Sequence, residues 1–223
     1  MSDRTDVLME WRGDVADFDD DELESFGLDD EDPRQSASSR DLAEADDDAE
    51  DDDTDDELDD LEDAEPDDVD FIIAAYREDG QSIVNALDED LANDLDEFIV
   101  QLRRLPGDGG AVGLLSLVGE VAVIVRVRGR HVQLLLSDNA AAGDWPIARD
   151  IAEFLDEDVP DEDEDSEPIG DLGILKDLGM PEFDLAAMCD DLDLGSDQLL
   201  AEVADKIKIG PQFRKIVDTA FDN

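Results

Sequence analysis

The chain has 223 residues, 69 of them Asp or Glu against 16 Lys or Arg, for a formal net charge of −53. Charge of that sign repels nucleic-acid backbones and anionic membrane surfaces, so neither direct duplex binding nor membrane association is expected, and basic proteins are the electrostatically favoured partners. A single cysteine excludes an internal disulfide, no apolar run nears the ~20 residues of a membrane span, and no basic start leads into an apolar stretch, so a cytoplasmic protein is expected.

Residues 1–68 hold roughly half of the acids, including a near-continuous run at 46–63. That segment offers too little apolar surface to offset chain entropy, and a disordered acidic tail is expected. Val7, Leu8, Trp11, Val15 and Phe18 form a sparse apolar set near helical spacing, and Leu23, Phe26 and Leu28 form another. Such sets suit short elements that fold on a partner, although scattered apolar residues are the commoner case in acidic tails.

The pattern changes at Val69. Phe71 to Tyr76 reads as a strand, Asp79-Gly80 as a hairpin turn and residues 81–87 as the returning strand. Asp88 or Asp90 then caps a helix whose Leu91, Leu95, Phe98, Ile99, Leu102 and Leu105 make one apolar stripe, ended by Pro106-Gly107. Apolar stretches at 112–118, 121–127 and 132–136, separated by Gly119 and Gly129, read as an antiparallel meander. In the middle stretch Val121, Val123, Val125 and Val127 form a core face, whereas Ala122, Ile124, Arg126 and Arg128 turn polar toward their end. Ser137 or Asp138 opens a helical segment with Ile147, Ile151, Phe154 and Leu155 after Pro146. Residues 69–155 therefore predict an α+β module, an antiparallel sheet of about five strands with two helices, in the order ββαβββα.

Residues 156–168, acidic with Pro160 and Pro168, have the composition of a linker. Residues 169–223 read as helical throughout, giving a small all-α C-terminal region. One segment spans 169–178 and ends at Gly179, and a second after Pro181 holds Phe183, Leu185, Met188 and Leu192. A third, with Ser196 as a plausible cap, carries Leu199, Leu200, Val203 and Ile207, and a last one after Gly210-Pro211 carries Phe213, Ile216, Val217, Ala220 and Phe221. Helices this short make a marginal core, so they are expected to pack on the module or on a partner.

No catalytic site, cofactor site or metal site is expected. A nucleophile needs a base held against it, and the one histidine, His131, sits at a strand turn beside Arg130. Cys189 has no basic neighbour in sequence and reads as a small core residue. There is no Cys-x-x-Cys, Walker loop or Gly-x-Gly-x-x-Gly. Asp191, Asp193, Asp197 and Glu202 approach a calcium-loop spacing, but Gly195 falls at position five and Ser196 takes the place of the sharp-turn glycine at six, and the apolar spacing of Leu199, Leu200 and Val203 accounts for the segment without a metal. Arg126, Arg128, Arg130 and His131 form the one basic cluster. They suit a phosphate or a partner's acidic patch, or they pair with the protein's own carboxylates, the reading we favour.

Three stretches resemble one known family: Phe-Ile-Ile-Ala-Ala-Tyr-Arg-Glu-Asp-Gly at 71–80, Leu-Leu-Ser-Asp-Asn-Ala-Ala-Ala at 135–142, and Asp-Leu-Gly-Ile-Leu-Lys-Asp-Leu-Gly-Met-Pro at 171–181 continuing to Cys-Asp-Asp-Leu at 189–192. In these the chain is similar to the actinobacterial tRNA adenosine deaminase-associated proteins. The resemblance implies a protein partner, tRNA adenosine deaminase, and brings no catalytic residues with it. The chain cannot be the deaminase itself, which needs His-x-Glu with Pro-Cys-x-x-Cys; here His131 precedes Val132-Gln133 and Cys189 stands alone. A non-enzymatic accessory protein is the leading expectation. The alternative is an acidic nucleic-acid mimic or chaperone that holds basic proteins through its Asp/Glu runs.

Overall fold

The structure, a computed structural model, describes residues 61–107, 109–160 and 166–221. The expected acidic tail up to residue 60, with its apolar sets, lies outside them. Packing begins ahead of the first strand: Ala64 is buried, and the Asn93 side chain clasps it, accepting from its N–H at 2.7 Å and donating to its carbonyl at 3.1 Å.

Six antiparallel strands, β1 (Val69–Glu78), β2 (Gln81–Ala86), β3 (Ala111–Leu117), β4 (Val121–Arg128), β5 (His131–Leu136) and β6 (Ile169–Gly170), form one open sheet in the order β2-β1-β3-β4-β5-β6. The β1–β2 turn has positive φ at both Asp79 and Gly80, the geometry the Asp-Gly pair predicts. Two helices, α1 (Leu95–Arg104) and α2 (Pro146–Leu155), cover one face. Asp94 caps α1 by accepting from Glu97 N–H at 2.8 Å, whereas Asp88 caps only the short 3-10 turn Glu89–Asn93 before it. Asp138 likewise caps a 3-10 turn, Asn139–Gly143, and α2 itself starts at Pro146.

The helices α3 (Glu182–Cys189), α4 (Ser196–Lys206) and α5 (Gly210–Ala220) cover the other face. The half-polar reading of β4 is thereby corrected: Ala122 and Ile124 are buried under the C-terminal helices, and so is Arg126. A sheet covered on both sides explains why its strands read as almost continuous apolar runs. On the second face Phe71 of β1 meets Phe213 of α5 edge to face, with ring centroids 5.1 Å apart. On the first, Gly113 of β3 lets the Phe98 ring of α1 lie directly on the strand, where a Cβ would collide with it.

Residues 169–178 are not one helix. Ile169 and Gly170 pair with β5 as an edge strand, because Gly170, at φ 103, brings its backbone against the Leu134 carbonyl, and only Lys176–Leu178 winds as a 3-10 turn. Gly179, at φ 106, ends that turn.

Candidate functional site

The basic cluster lies at the end of the sheet where β4 turns into β5. Arg126 and Arg128 sit two residues apart on the face covered by the C-terminal helices, and His131 pairs across the hairpin from Arg128. Their fates differ. The Arg126 side chain is 3% exposed and its guanidinium is bidentate on the Asp177 carboxylate, with Nη2 at 2.7 Å from Oδ2 and Nη1 also on Oδ1. Nη1 donates to the Ile174 carbonyl at 2.5 Å as well. This hydrogen-bonded guanidinium holds the Asp177 carboxyl below its ordinary value. Arg128 is half-exposed, 3.9 Å from Asp177 and donating to Gln133 at 2.9 Å, and Arg130 and His131 stand exposed in the turn.

The structure thus brings together Arg126, Arg128 and Asp177, and leaves Arg130 and His131 to solvent. Asp177, 51 residues from Arg126, is the member sequence reasoning missed. Its only signal is a lone Asp amid the apolar 172–180, which is easily read as a solvated position. Beside this pair opens a small cleft of about 60 Å³, with Tyr76, Arg77, Ser82, Arg126, Leu178 and Ile207 in its wall.

A second polar cluster sits at the opposite end of β3. Ser116 donates to Asp70 at 2.8 Å, and its hydroxyl lies 2.7 Å from that of Ser196, the first residue of α4. With the Ser116 proton engaged on Asp70, Ser196 is the donor of that second bond. Asp70, placed by a register shift between Val69 and Phe71, also accepts from Gly119 N–H at 2.7 Å, and the Gly119 carbonyl takes the Ser196 N–H at 2.9 Å. With the one histidine at the other end of the sheet, two hydroxyls held by one carboxylate make a fastener between sheet and helix rather than a reaction centre.

Two further titratable groups are shifted. Burial raises the Asp150 carboxyl, against the opposing hydrogen bond from Leu95 N–H, and the carboxylates of Glu153, Asp94 and Asp96 add to the rise. Burial, and then the Asp190 charge, pushes the Cys189 thiol up to about 11, so it is protonated at neutral pH and a poor nucleophile. Among the described residues no group of three or more His, Cys, Asp or Glu side chains is arranged to hold a metal ion, and no helix is long and apolar enough to cross a membrane.

Comparison with known proteins adds what this geometry does not carry. Residues 70–210 match the family described as Rv3753c-like tRNA adenosine deaminase-associated protein. The chain is 35% identical over 151 residues to Protein Rv3753c of Mycobacterium tuberculosis, an alignment covering 66% of this chain and 87% of that protein. No solved structure matches it. The chain belongs to the tRNA adenosine deaminase-associated protein family.

Proposed function

We propose that this member of the family is a non-enzymatic accessory protein that binds tRNA adenosine deaminase in the cytoplasm. The family match over 70–210 is the observation that carries this reading. Two features of the chain support it: the zinc-binding signature of the deaminase is missing from the sequence, and the thiol is too weakly acidic to serve as a nucleophile. The exposed members of the basic cluster, Arg128, Arg130 and His131, supply a contact for a phosphate or carboxylate of the assembled complex. Titration of the full chain into purified deaminase, with deaminase kinetics on tRNA followed in parallel, tests the proposal. A saturable complex, or a change in kcat or KM, supports it; no complex together with unchanged kinetics rejects it.

The net charge of −53 favours a second reading, an acidic mimic or chaperone for basic proteins. Salt separates the two. A complex held by charge runs alone weakens steeply between low and moderate ionic strength, whereas one held by a packed surface survives.

A further inference from the structure

The outer side of α3 is neither core nor ordinary acidic surface. Leu185 is the only fully buried residue of this helix, with Met188 and Cys189 half-buried on the same side. At about 100° per residue, Phe183, Ala187 and Asp190 fall on the opposite side, toward solvent. Phe183 is 81% exposed, and Leu192, in the turn that follows, is 94% exposed. Leu192 is held out by a structured turn and not by a fraying end. The Asp191 carboxylate accepts from Asp193 N–H at 3.1 Å, Leu194 N–H donates to the Asp191 carbonyl at 3.0 Å, and Ser196 is tied to Gly119 and Ser116.

The sequence expectation that one helix after Pro181 holds Phe183, Leu185, Met188 and Leu192 is therefore corrected. Positions 183 and 185 are two apart and cannot share a helical face, and Leu192 lies beyond the helix end. Between 182 and 197 the chain carries six carboxylates and no Lys or Arg. One of the six, Asp184, is paired with Lys206 at 2.9 Å.

We propose that this surface, Phe183 and Leu192 with the carboxylates around them, is the docking site for a basic, amphipathic polypeptide segment. Its apolar side chains pack on Phe183, in the first turn of α3, and on Leu192, three residues past its end. Its Lys and Arg side chains meet Glu182, Asp190, Asp191 and Asp193. A phenylalanine 81% exposed and a leucine 94% exposed, on the outer side of one short helix and its following turn, leave apolar surface in water that a partner's burial would recover. The charge around them selects the occupant, since a second copy or any acidic segment would bring like charge against the rim, whereas the field of the whole chain steers a basic one inward. This deepens the accessory-protein reading and rests on it only for the identity of the partner.

The full chain is titrated by calorimetry with two synthetic peptides of equal positive charge. One carries Lys and Leu at helical spacing; the other has Gln in place of every Leu. The Leu peptide is expected to bind more tightly by about tenfold or more, the worth of one or two buried apolar side chains, and to keep that advantage in high salt. Combining Phe183→Ser with Leu192→Ser, which changes no charge, should erase the advantage. Phe154→Ser, at an exposed phenylalanine on the other side of the sheet, should not. An advantage that is absent, or that survives the double substitution, overturns the proposal. So does a wild-type dimer that the double substitution dissolves in sedimentation, which makes a second copy the occupant. Titration with tRNA adenosine deaminase separates the two readings: equal binding by wild type and double variant overturns this surface and leaves the accessory role standing. No deaminase binding, with the peptide advantage intact in wild type and lost in the variant, does the reverse.

Discussion

The two faces of the sheet are covered by helices in different ways. On the first, α1 and α2 come from the segments between and just after the strands they cover and meet the sheet through apolar side chains, with the Phe98 ring seated on Gly113. On the second, α3 to α5 arrive from the end of the chain, and apolar contact is supplemented by polar fasteners set into the sheet. Asp70 with Ser116 and Ser196, and Arg126 with Asp177, join residues 46 to 80 positions apart. Apolar packing tolerates sliding; a buried hydrogen bond does not, because displacement leaves a desolvated polar group without a partner. The second cover is therefore held in one register by groups that would be costly to leave alone.

Removing Asp177 should break this contrast most. Asp177→Ala leaves the buried Arg126 guanidinium without its counter-charge and should cost about 3 kcal/mol in denaturant unfolding, with amide-exchange protection in α3 to α5 falling before that in α1 and α2. Acid should act on the same pair. Since the folded-state pKa of Asp177 is depressed, its contribution is complete above the ordinary carboxylate range and is lost as pH falls through the folded value. The pH-dependent part of the stability below that range should shrink in Asp177→Asn.

On the first face, Gly113→Ala should cost about 2 kcal/mol by driving a Cβ into the Phe98 ring, and its exchange losses should centre on α1. Ser196→Ala, which removes one link of the second-face network, should cost about 1 kcal/mol, and adding Ser116→Ala should cost less than the sum of the two. The smallest expected change has the opposite sign. Val118, at φ 46 in the β3–β4 turn and 41% exposed, holds a left-handed conformation that is unfavourable for a β-branched side chain. Val118→Asn should raise stability by about 0.5–1 kcal/mol, read as a higher Tm.

Much of the first face was legible in the sequence, because its signals are local. Asp79-Gly80 marks the hairpin, the stripe from Leu95 to Leu102 marks α1, and three apolar stretches separated by Gly119 and Gly129 mark the meander. The second face was harder to read because its cover is distant in the chain. A strand written Ala122, Ile124, Arg126, Arg128 has the same letters whether its end meets water or a helix bearing an aspartate. β6 escaped notice because two residues carry no periodicity, and its partner strand ends 33 positions before Ile169. Of the basic cluster, the shared face of Arg126 and Arg128 followed from strand alternation, but the split between a buried, paired Arg126 and an exposed Arg130 follows only from where Asp177 comes to lie.

Cys189 gives the second cover an intrinsic clock. It is the sole thiol of the chain, sits on the core side of α3 and is held protonated at neutral pH, so an alkylating reagent meets little thiolate while the helix stays down. Labelling should be slow in the native protein and accelerate when the second cover loosens, because exposure returns the thiol toward its ordinary acidity. A single reaction followed by mass thus reports loosening or protection of that cover, whether Asp177 is removed or a partner is bound.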